Sequence, residues 1–168
     1  MLTWELIMEK CPTMKKIVEE KIANDINKGE KTADDIYNEL DFTTATLDQV
    51  KQAKINQLNY FCNKAILEGF DYTINNISYH FSLSMEAQAN FTGTDAMFKE
   101  GLLTSVKWTV VNNATGLVER VELDKATFDL VKLEAFNTIN LNISKFRDTL
   151  QTQVENATTI EEVQSVVW

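Results

Sequence analysis

Two periodicities alternate along this chain. Between Phe70 and Phe81 apolar and polar residues alternate in steps of two, whereas the flanking segments repeat apolar residues every three or four positions. The first pattern is that of a strand pair, the second that of amphipathic helices. In Phe70-Asp-Tyr-Thr-Ile-Asn-Asn-Ile-Ser-Tyr-His-Phe81 the Asn75-Asn76 pair suits a two-residue type I′ turn, because asparagine tolerates the left-handed backbone such a turn needs. That turn sets Ile74 opposite Ile77, Tyr72 opposite Tyr79 and Phe70 opposite Phe81, with all six large side chains on one face. Thr73 with Ser78 and Asp71 with His80 then share the other face.

A second hairpin is predicted from Ser105 to Leu123. Val106, Trp108 and Val110 alternate inward, Asn112-Asn-Ala-Thr-Gly116 turns the chain, and Val121 and Leu123 return to face Trp108 and Val106. Around these hairpins the helices announce themselves by their first turns. Thr32 with Asp35, Thr46 with Gln49 and Thr159 with Glu162 have the spacing of capping boxes, while Ser84 and Asp124 are single N-caps. They open helices at Ala33–Leu40, from Leu47 to a stop at Gly69, from Met85 to about Leu103, and from Ile160 towards the end.

Asp124 opens the longest element, a helix from Lys125 to about Glu155, roughly 45 Å at the standard rise. Phe128, Val131, Ala135, Ile139, Ile143, Phe146, Leu150 and Val154 form one near-heptad stripe. Leu130, Leu133, Phe136 and Leu141 form a second flank. One flank suffices to cover the hairpins, and the other is available to a neighbouring helix. At the other end of the chain a short helical turn at Thr3–Lys10 precedes a helix that begins at Pro12, carries Met14, Ile17, Val18, Ile22 and Ile26, and stops at Gly29. The polar run Asp41–Thr46 reads as a linker. The fold class predicted is therefore α+β: an N-terminal helical module over residues 1–45, and over 46–168 a domain of helices with two β-hairpins and a long C-terminal helix.

Charge and residue chemistry narrow the function by exclusion. A net charge of -9 with no basic stripe argues against nucleic acid as a partner. No run is apolar over membrane-spanning length, so no membrane insertion is expected. Cys11 and Cys62 lack CxxC spacing, and the one histidine, His80, already has Asp71 as a cross-strand partner, so metal and nucleophile chemistry lack their components. The five glycines are scattered, and no phosphate-cradling loop can be assembled. Acidic pairs such as Asp34-Asp35 and Glu161-Glu162 sit in first helical turns, where the helix dipole favours them. No catalytic residue, cofactor or metal ligand is expected.

From about Lys51 onward the order of features resembles a domain of unknown function found in tailed bacteriophages and prophages, often encoded beside tail-fibre and baseplate genes. The resemblance is carried by Lys51-Gln-Ala-Lys54, the aromatic hairpin and the helix from Met85 through Asn90-Phe-Thr-Gly93. It continues through Val106-Lys-Trp-Thr109, Val121-Glu-Leu-Asp124 and Ala157-Thr-Thr-Ile-Glu-Glu-Val163. It implies a non-enzymatic structural component of a tail, baseplate or tail fibre, made in the host bacterial cytoplasm and located in the virion. Its partners would be other tail, baseplate or fibre proteins, with self-association also open. The docking residues expected are Trp4, Ile7, Met14 and Ile17 of the N-terminal module, Leu130, Leu133, Phe136 and Leu141 of the second flank, and Trp168. A tail-fibre assembly chaperone and a carbohydrate-binding module using exposed aromatic rings are the alternatives.

Overall fold

A computed structural model describes residues 31–168. The short turn at Thr3–Lys10 and the helix expected from Pro12 to Gly29 lie outside the described residues. Within them the chain is α+β, as expected: α1 (Ala33–Asn38), α2 (Leu47–Leu67), β1 (Phe70–Ile74), β2 (Ile77–Phe81), α3 (Met85–Lys99), β3 (Ser105–Asn112), β4 (Val118–Asp124), α4 (Lys125–Ser144), a π-helical segment (Lys145–Leu150), α5 (Gln151–Asn156) and α6 (Ile160–Ser165). The strands form one antiparallel sheet in the order β1-β2-β3-β4. Helix α4 packs against β1 and β4 and also against α2, so it lies between the sheet and α2.

Local chemistry sets most boundaries. Asn75 and Asn76 adopt φ of 50° and 65°, and β1 pairs with β2 in the register the turn dictates, from Phe70↔Phe81 to Ile74↔Ile77. Ile77, next to that turn, remains 42 % exposed. In the second hairpin Trp108 stands opposite Val121 and Val106 opposite Leu123, as expected. Asn112 ties its loop together: its Oδ1 accepts from Ala114 N–H at 2.9 Å, while its Nδ2 donates to Glu119 at 3.0 Å. The three capping boxes are present, with Gln49 N–H donating to Thr46 Oγ1 at 3.3 Å and Thr46 N–H to Gln49 Oε1 at 2.9 Å.

The core gathers where α3 and α4 cover the second hairpin. Phe128 is fully buried, with its ring 5.1 Å from Phe98, 5.8 Å from Trp108 and 5.9 Å from Phe91, and Phe91 stacks on Trp108 at 4.4 Å. Along the chain from Lys125 to Asn156 the helix is continuous but not uniform, which corrects the single α-helix expected. Gln151 N–H donates to Phe146 C=O, an i→i+5 bond, and Lys145–Leu150 is wound as a π-helix. An α-helix drifts about 40° for every four residues. The wider turns hold Phe146, Leu150 and Val154, each four apart, on the buried face. Ile143, expected on that inner stripe, is instead 41 % exposed, because the phase change falls just after it.

The segment from α1 to α2, where the module boundary is expected, folds back onto α2. Tyr37 is buried beneath Phe42, ring centroids 5.6 Å apart, and Lys54 Nζ lies 4.1 Å from the Tyr37 ring centroid. Lys54 donates to Gln57 Oε1 at 2.9 Å, and Gln57 in turn donates to Asp34 at 2.7 Å. Burial lowers the Lys54 pKa against the opposing pull of Asp34. The Tyr37 hydroxyl is buried with no hydrogen-bond partner among the described residues. Tyr37→Phe is therefore expected to leave stability unchanged or raise it by up to about 1 kcal/mol, since it removes an unpaired polar group and keeps the ring. Urea midpoints of the two proteins check this directly.

Candidate interaction surface

Helix α4 is apolar on more than one side. Its inner residues Phe128, Val131 and Ala135 are buried, yet Leu130, Leu133, Phe136 and Leu141 are 54 %, 53 %, 59 % and 71 % exposed. A helix apolar all round is ordinarily one that is buried all round. Beside these residues lie Asn137, Asn140 and Ser144, also exposed, which with Leu130 and Leu133 follow a spacing of three and four. Glu134, Asn137, Asn140, Leu141 and Ser144 line a shallow hollow of about 300 Å³. From Ala135 to Ser144 there is no charged residue.

Both ends of this face are marked. At the N-terminal end Lys132 of α4 and Lys99 of α3 both donate to the Asp95 carboxylate, and Lys125 pairs with Asp129 at 2.6 Å. The bond from Lys132, then that from Lys99, holds the Asp95 carboxyl at about 2. Because the folded-state pKa lies below the ordinary carboxylate value, this stabilisation is complete above the ordinary range and is lost as pH falls through about 2. Urea unfolding between pH 5 and pH 2, run on wild type and Asp95→Asn, is expected to show a shallower acid loss in the variant. At the C-terminal end the π-helical segment takes over, and Cys62 on α2 donates its thiol to Asn142 C=O at 3.5 Å. Burial pushes that thiol's pKa up.

The sequence-predicted docking residues thus separate into three groups. Leu130, Leu133, Phe136 and Leu141 share one exposed face of α4. Trp168 is half-buried against the core, with Lys145 Nζ 4.2 Å from its ring centroid, so it is not part of that face. Trp4, Ile7, Met14 and Ile17 lie outside the described residues. Asn137, Asn140 and Ser144 share the exposed side of α4 and, being polar, fall outside its apolar pattern. Their signal is the continuation of the Leu130-Leu133 spacing through polar residues.

Other surfaces offer less. Strands β2 and β3 pair only at Tyr79↔Asn112 and His80↔Val111, then part, leaving a groove of about 570 Å³ beside Ser82, Asn90, Lys107 and Thr109. Arg120 reaches back to the open edge and donates to Lys107 C=O at 2.8 Å, which blunts it against further strand pairing. Tyr79 and Trp108 are buried and Tyr72 is half-buried, so these rings form no open stacking platform. His80 Nδ1 is 2.9 Å from Asp71, the cross-strand pair expected. Among the described residues no group of three or more histidine, cysteine or acidic side chains is placed to hold a metal ion. No described helix is long and apolar enough to cross a membrane.

Fold and surface together define, over the described residues, an α+β domain with an exposed apolar face on its long helix. The chain belongs to the family described as a domain of unknown function, DUF4376, whose model matches residues 49–167. The matched region begins in the first turn of α2 and so leaves out α1 and everything before it. No curated protein and no solved structure matches the chain significantly.

Proposed function

We propose that this protein is a non-enzymatic structural component of a phage tail, baseplate or tail fibre, or of a phage-derived particle, and that it docks onto neighbouring subunits through the outer face of α4. The observation that carries the docking part is the exposure of Leu130, Leu133, Phe136 and Leu141 on one face of a helix whose opposite side is already buried. Contiguous exposed apolar surface of this kind marks interaction sites in folded proteins. Covering it supplies roughly 25 cal/mol per Å² of apolar area removed from water. The tail assignment rests on the order of sequence features from Lys51 to Val163 described above. Its place would be the virion, after synthesis in the host cytoplasm.

A tail-fibre assembly chaperone would use the same face transiently. The carbohydrate-binding alternative needs open aromatic rings, and the burial of Tyr79 and Trp108 weighs against it. Quantitative mass spectrometry of purified particles, after chemical cross-linking, separates these readings. A structural component is expected in fixed ratio to known tail subunits, with cross-links at Lys125 and Lys132 beside the exposed face. Presence in infected cells with absence from finished particles would favour the chaperone, and absence from both tail and fibre complexes would overturn the proposal.

A further inference from the structure

We draw no further inference here: the strongest candidate, the exposed apolar face of α4 carrying Leu130, Leu133, Phe136 and Leu141, already belongs to the docking surface described above, and nothing in the structure shows what covers it.

Discussion

Replacing Phe128 with alanine is expected to destabilise the protein by about 3–5 kcal/mol, the range for removing a fully buried aromatic ring. The ring is inaccessible to solvent and touches aromatic side chains from two other elements, Phe91 and Phe98 of α3 and Trp108 of β3. Its loss leaves a hole bounded by three rigid rings that cannot collapse inward without moving helix or strand. Small domains are stable by only about 5–15 kcal/mol, so the change takes a large share of the total. Urea unfolding followed by tryptophan fluorescence should show a much lower midpoint with the slope retained. A loss below about 1 kcal/mol would mean that the aromatic cluster is not the centre of the core.

Gly69→Ala is the second large effect, expected at about 3 kcal/mol or more, through backbone rather than packing. Gly69 ends α2 with φ of +87°, and a Cβ there would stand 2.2 Å from the backbone oxygen of Phe81. That oxygen belongs to the strand paired with β1 and cannot swing aside as a flexible side chain could. The same substitution at Gly93 should do the reverse. Gly93 lies inside α3 with open space around it, so alanine there is expected to stabilise by roughly 0.5–1 kcal/mol through helix propensity and the unfolded chain's entropy. Opposite signs for one substitution at two glycines would separate conformational need from composition. Parallel denaturation curves of the two variants suffice.

At the outer face of α4 the proposed docking and the stability of the fold can be separated. Its residues contribute little to the isolated fold, because they are already in water, so acidic substitutions there should disturb assembly far more than folding. Phe128 and Gly69 behave in the opposite way. A variant series spanning both groups therefore distinguishes loss of docking from loss of structure.

What the sequence determined by itself is everything decided within a few residues of chain. The Asn75-Asn76 turn carries its hairpin register, and threonine or aspartate three residues before a matching partner starts a helix, because both ends of each interaction lie within one turn. The approximate length of the long helix and the pairing of Trp108 with Val121 follow from periodicity in the same way. Tertiary structure alone decided the rest. Whether the flank holding Leu130 or the one holding Val131 turned inward depended on where β1, β4 and α2 came to lie, and an apolar count gives both similar weight. The π-helical turns at Lys145–Leu150 arise because side chains four apart must keep reaching one core, a demand set by α2 across the gap rather than by neighbours along the chain. Lys54, by type a surface residue, is buried because Tyr37 and Gln57 offer its ammonium a ring face and an acceptor. Such outcomes turn on contacts between residues distant in sequence, which local pattern cannot encode.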